Sequence, residues 1–252
     1  EADRRGDRGR QHQKVFCEHA VGTARERLER PDLSALVEGV SREPHRIQRR
    51  RARDERDERA RRRAADQTDR DTYQTSFAGE EAKSVAAPTA GLHFTPRLLA
   101  ELEVAGVERT EVCLHVGLGT FAPLKDEQIE QGKLHEEWRQ ITPTVADQLN
   151  IARGAGHRCV AVGTTSLRSL ESSATEDNQI YPTSGPTDIF IQPGYRFRAI
   201  DALVTNFHLP ASSLFMLVCA FMGTNVMQAA YAHAIKNDYR FYSYGDACLL
   251  LP

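Results

Sequence analysis

Residues 1–70 are poor in what a folded core needs. They hold one aromatic residue, Phe16, and neither Trp nor Tyr. Residues 48–63 are almost entirely Arg, Asp and Glu. So little apolar surface cannot offset the entropy of ordering the chain, which predicts a poorly structured, disordered or helical, Arg-rich tail over 1–70. An Arg-rich arm can neutralise RNA phosphates, but the interleaved Asp54, Glu55, Asp57 and Glu58 oppose that reading. Cysteine is also sparse. Cys17, Cys113, Cys159, Cys219 and Cys248 lie far apart, and no two make a CxxC or another metal-ligand spacing. This excludes a sequence-encoded zinc knuckle, and no metal is expected. An odd count without a signal-peptide pattern predicts reduced thiols in the cytoplasm. The longest apolar run, 214–222, is too short to span a bilayer.

What is present begins at Asp71. The formal net charge of −2 divides into +5 over residues 1–70 and −7 over 71–252, so the body is acidic. In 71–252, apolar runs alternate with turn signals. Thr95-Pro96 and Thr142-Pro143 each pair an N-cap with a proline suited to the first helical position. Residues 110–116 and 133–141 read as strands, 187–191 as another, and 195–207 as a second extended stretch. Pro210 is expected to open an apolar helix ending at Met222, and Asn225 to cap the last helix. This alternation predicts an α/β domain over 71–252 with a largely parallel sheet, open or barrel-like. In such folds, sites form at the C-terminal ends of strands.

The chain centres on residues 160–174. The apolar run 158–162 is a buried strand, Gly163 breaks it, and Thr164, Thr165 and Ser166 open a helix. Backbone N–H groups and the dipole at such a start suit a carboxylate, a phosphate or a sugar edge. Arg168 and Glu171 are three residues apart and share a helical face. They read either as part of a site or as an ordinary surface ion pair.

Other candidates stand at predicted strand ends. His115 runs into Gly117, Gly119 and Thr120, where glycines permit close backbone approach to a ligand. The third glycine of a dinucleotide fingerprint is missing. His135 and Glu137 share one face if 133–141 is extended, and a histidine beside a carboxylate makes an acid or base near neutral pH. Asn206 and His208 end the 195–207 stretch. His93 precedes the Thr95 helix, and Tyr244 and Asp246 lie in an aromatic segment suited either to stacking on a base or to a core strand. Each histidine reads equally as a core or solvated residue.

The blocks SVAAPTAGLHFT, LHVGLGTF, VGTTSLRSLES, DIFIQPGY, DALVTNFHLPASSLFMLVCAF and YRFYSYGDACLL, taken in order over 71–252, resemble the S-adenosylmethionine:tRNA ribosyltransferase-isomerase family of queuosine biosynthesis. The resemblance implies transfer and isomerisation of the ribosyl group of S-adenosylmethionine onto 7-aminomethyl-7-deazaguanine in a tRNA anticodon. Epoxyqueuosine-tRNA forms, and adenine and methionine leave. It implies a bacterial cytoplasmic enzyme without a metal, expected here as a monomer off the membrane. S-adenosylmethionine would be the ribosyl donor. Family members are longer, with a strand-rich start and an inserted β-barrel domain ahead of SVAAPTAGLHFT. Residues 1–70 match neither. The expectation is a chain that lacks this barrel, its start read from another frame of GC-rich DNA.

The reaction needs a base beside the sulfonium, an acid for departing adenine, and contacts for ribose and carboxylate. By residue type, His115, His135, Glu137, His208 and Asp246 are the candidate catalytic groups. His93, Gly117, Gly119, Thr120, Gly163, Thr164, Thr165, Ser166, Arg168, Glu171, Asn206 and Tyr244 are the candidate substrate contacts. Two other readings are an inactive remnant with residual nucleoside or RNA binding, and an unrelated sugar- or phosphate-binding α/β enzyme.

Overall fold

The computed structural model describes residues 11–18, 75–77, 87–115, 126–210 and 212–252, with backbone alone for 11–18, His115, Asp126, Ile129 and Glu130. Among the described residues the strands are β1 (Gln11–Glu18), β2 (Val107–His115), β3 (Lys133–Ile141), β4 (Arg158–Val162), β5 (Thr183–Ile189), β6 (Ala202–Asn206) and β7 (Ala247–Leu250). The helices are α1 (Pro96–Val104), α2 (Asp126–Gln131), α3 (Pro143–Gly154), α4 (Thr164–Glu171), α5 (Ser213–Met222) and α6 (Thr224–Lys236). Their starts follow local chemistry. Thr95 and Thr142 accept hydrogen bonds from Leu98 N and Val145 N, and a proline holds the first turn of each helix. The α5 cap is Ser212, which accepts from Phe215 N, rather than a start at Pro210. Gly223, at φ 90°, stands at the junction of α5 and α6 in place of an Asn225 cap. The two helices meet at a 116° bend, and among the described residues no single helix is long and apolar enough to cross a membrane.

The strands form one sheet in the order β5-β3-β2-β1-β4-β6-β7. Alternation along β4 divides its two faces. Cys159 and Ala161 join a large core with Leu149 of α3, Leu167 and Leu170 of α4, Leu217 of α5 and Met227 of α6. Val160 and Val162 face a smaller cluster with Phe77, Phe94 and Leu99 of α1. On β6 the same rule sends Leu203 to the large core and Val204 to the small one. The sheet is therefore covered on both faces.

The fold is mixed α/β and the sheet is open, but it is not largely parallel. Among the described residues only β4 and β6 pair in parallel, and the other pairings are antiparallel. Alternation of strands and helices says that helices intervene, not that successive strands are neighbours. β2 and β4 do run in the same direction, as the α/β reading requires. Between them lies β1, antiparallel to both. These eight residues come from the segment expected to form a poorly structured tail. Gln11–Glu18 holds no Arg and carries Phe16, the one aromatic of residues 1–70, and a strand needs only a few paired residues when both its edges are occupied. The rest of 1–70 lies outside the described residues. Of the extended stretch 195–207, only Ala202–Asn206 is a strand.

Candidate active site

β2, β4 and β6 share one direction, so their C-terminal ends meet the same edge of the sheet. At that edge β4 stops at Gly163, with φ 89° and ψ 145°, a conformation close to the glycine-only region. Gly163 N donates to Val204 O at 2.8 Å, which ties the end of β4 to β6. α4 then starts at Thr164 with no side-chain cap. The hydroxyls are used unequally. Ser166 Oγ donates to Val162 O at 2.8 Å and is fully buried. Thr164 is buried and Thr165 half-buried in the first turn.

Arg168 and Glu171 do not pair with each other, and neither is at the surface. Arg168 reaches across the large-core face of the sheet to β3, where its Nη1 donates to Glu137 Oε2 at 2.6 Å. The two side chains are 3% and 8% exposed. Among the described residues, Arg168 Nε and Nη2 are buried without a hydrogen-bond partner. Glu171 turns the other way and accepts from Arg198 N, Ala199 N and the Tyr195 hydroxyl. Burial raises its carboxyl above the usual range while these donors oppose the shift. Its work is to fix the chain that leads into β6. Arg139, on the same face of β3 as Glu137, donates to the carbonyls of Gly185, Pro186 and Ser172. Sequence reasoning overlooked this buried arginine, and only its alternation with Ile141 could have pointed to it.

The small-core face carries the second group. Asn206 is the last residue of β6 and shares the parity of Val204. Its Nδ2 faces the carbonyls of Tyr242 at 3.0 Å, Gly245 at 3.4 Å and Ser243 at 3.5 Å. Its Oδ1 lies 3.3 Å from His93 Nε2. Asp246 accepts from Arg240 N at 2.8 Å and from Arg240 Nη2 at 3.2 Å. The Arg240 backbone N–H chiefly holds its carboxyl below the usual range, and the Arg240 side chain and the nearby His93 add to the effect. Tyr244 ends the 3-10 turn Tyr242–Tyr244 just before Asp246 and is 47% exposed.

The histidines are spread out. His208 follows β6 but lies on the large-core side. Thr205 Oγ1 is 3.0 Å from its Nε2, and its backbone N–H donates to the Tyr231 hydroxyl. Burial lowers its pKa to about 4, so the ring is neutral at pH 7. His135 is exposed on β3. Four strand spacings separate β3 from β6, roughly 19 Å. His115 ends β2 at the site edge, with its backbone opposite Trp138. Gly117, Gly119 and Thr120 lie outside the described residues. His93, Asn206 and Asp246 are brought together, as are Glu137 and Arg168; His135 and His208 join neither group. Among the described residues, no group of three or more His, Cys, Asp or Glu could hold a metal ion.

The class defined by this geometry is an α/β domain with polar groups gathered where its co-directional strands end. Comparison with known proteins narrows it. The model of the queuosine biosynthesis protein family matches residues 15–250, and the chain belongs to that family. It is 70% identical over 193 residues to the S-adenosylmethionine:tRNA ribosyltransferase-isomerase of Hyphomonas neptunium, covering 77% of this chain and 55% of that protein. The protein of the same name from Phenylobacterium zucineum is 62% identical, over 76% of this chain and 53% of its own length. The crystal structure of S-adenosylmethionine tRNA ribosyltransferase from Thermotoga maritima superposes with a TM-score of 0.54 at 45% identity. It covers 64% of this chain and 51% of the other. The chain spans about half the length of the curated relatives it matches.

Proposed function

We propose that the chain carries the S-adenosylmethionine-binding half of a tRNA ribosyltransferase-isomerase. Ribosyl transfer to 7-aminomethyl-7-deazaguanine in the anticodon gives epoxyqueuosine-tRNA and releases adenine and methionine, with the enzyme acting as a cytoplasmic monomer. The observation that carries the reading is the family match across nearly the whole chain, with relatives named for this activity. The sheet edge offers suitable chemistry. Arg168 has two buried donors without acceptors and is suited to a substrate carboxylate. The first turn of α4 has no side-chain cap, and Arg168 follows one turn further along the same helix. Asn206, His93 and Asp246 supply a polar group across the edge, where a ribosyl group meets proton donors and acceptors. Exposed Tyr244 provides a stacking surface for a base. Glu137 acts through Arg168, which it orients and neutralises.

Two measurements test this. S-adenosylmethionine at about a hundred times its Kd stabilises the folded chain by roughly 2.7 kcal/mol, read as a rise in Tm. Adding tRNA that bears the aminomethyl base then releases adenine. A Tm shift without adenine release means that this chain binds the donor but does not turn it over. No shift with S-adenosylmethionine rejects the reading.

A further inference from the structure

The His93–Asn206 contact fixes a proton. Asn206 Nδ2 faces three backbone carbonyls, at 3.0, 3.4 and 3.5 Å, and these can only accept. Reversing the amide would put Oδ1 against those oxygens, so the orientation is enforced by its neighbours rather than chosen. Oδ1 therefore points at His93 Nε2 and also can only accept. A neutral imidazole beside it must carry its proton on Nε2, which leaves the lone pair on Nδ1. The Asn206 backbone belongs to the strand that pairs with both β4 and β7, so the acceptor is held on a rigid element.

On the transferase reading above, we propose that His93 is the proton acceptor of this site, with Nδ1 as the accepting atom and Asn206 as the residue that positions its tautomer. A substrate bond to hydrogen breaks, its electron pair stays on the substrate atom, and the proton goes to Nδ1 to give an imidazolium. Nε2–H keeps its bond to Asn206 throughout, so no partner is lost when the charge forms. Asp246, already in electrostatic contact with His93, stabilises that positive charge with its carboxylate. A histidine whose other nitrogen is held by a carbonyl oxygen is the arrangement that presents a single basic nitrogen to a ligand.

The test has two parts. Long-range ¹H–¹⁵N correlation spectra of the histidine-labelled full chain, with His93 assigned from His93→Gln, read the tautomer directly. Nε2–H is expected, and a wild-type ring protonated on Nδ1 overturns the proposal without any variant. Asn206→Ala should convert the ring to a mixture of tautomers, and an unchanged tautomer there also overturns it. In the adenine-release assay, His93→Gln should lower kcat about a hundredfold or more with KM for S-adenosylmethionine nearly unchanged, and retained turnover overturns the catalytic role. The spectra need no substrate. A chain that fails to release adenine while showing the Nε2–H ring therefore counts against the transferase reading and not against the tautomer.

Discussion

Glu137→Gln removes the charge 2.6 Å from Arg168 Nη1 while keeping the shape of the side chain. The side chains are 3% and 8% exposed, so water cannot screen the remaining guanidinium, and Arg168 Nε and Nη2 already have no partner. Breaking a buried pair from one side typically costs about 3–5 kcal/mol. The amide oxygen of Gln still accepts a hydrogen bond, which places this variant near the lower end. About 3 kcal/mol in a chain of this size lowers Tm by roughly 6–12 °C. Urea denaturation with matched m-values is the direct measurement. A loss under about 1 kcal/mol would refute the reasoning, because it is the value of a solvated pair. Combining Glu137→Leu with Arg168→Met separates structure from binding. The double variant should recover most of the lost stability, since apolar replacement of both partners is often neutral or better. It should nonetheless lose the Tm rise with S-adenosylmethionine, because the guanidinium proposed to receive the carboxylate is gone.

His208 supplies a pH test. Its folded pKa is lowered from 6.5 to about 4, so the unfolded chain binds the proton more readily. Its contribution is complete above about pH 7 and is lost as pH falls through 6.5 toward 4, reaching about 1.4 kcal/mol by pH 5.5; unfolding of wild type against His208→Gln at pH 7.5 and 5.5 reads the difference. Gly163→Ala must hold a Cβ at φ 89° and should cost about 1–3 kcal/mol in thermal unfolding; an unchanged Tm would show that the turn relaxes freely. Tyr244→Ala should leave the unfolding free energy within about 0.5 kcal/mol and weaken tRNA binding in a filter assay by about 1–3 kcal/mol. Equal tRNA affinity would remove Tyr244 from the RNA surface.

Local signals were legible in the sequence. Thr95-Pro96 and Thr142-Pro143 start helices where they stand, and the strand–glycine–helix unit begins and turns where its pattern implies, although its helix ends at Glu171, one turn short of Ala174. These features depend on neighbours within a few residues. Pairing partners do not. Nothing around Gln11–Glu18 says that it lies between β2 and β4, because the groups that order it are distant in the chain. The same limit governs the site. Arg168 and Glu171 look like an ion pair at helical spacing, yet Arg168 finds Glu137 on β3 and Glu171 finds the backbone at Arg198. His208 and Asn206 are two residues apart, and strand parity sends Asn206 to the small-core face while His208 lies on the other side. His93, which as a lone loop histidine carried little signal, meets Asn206 there.

The position of β1 also governs how the sheet is assembled. Its partners Leu114 and Ala161 stand far from Gln11 and Val15 in sequence, with separations of roughly a hundred residues or more that mark a high contact order and slow folding. Among the described residues, β1 is the sole hydrogen-bonded link between the β5-β3-β2 half and the β4-β6-β7 half. During synthesis this strand emerges before β2 and β4, and it must wait until β4 leaves the ribosome before both its edges are satisfied. Until then the edge of β1 that β4 will occupy is open to other chains. Closure of the sheet is thus a late event that depends on an early-synthesised strand. A separate peptide carrying Gln11–Glu18 should compete for that slot in refolding and leave the chain with its two half-sheets unjoined.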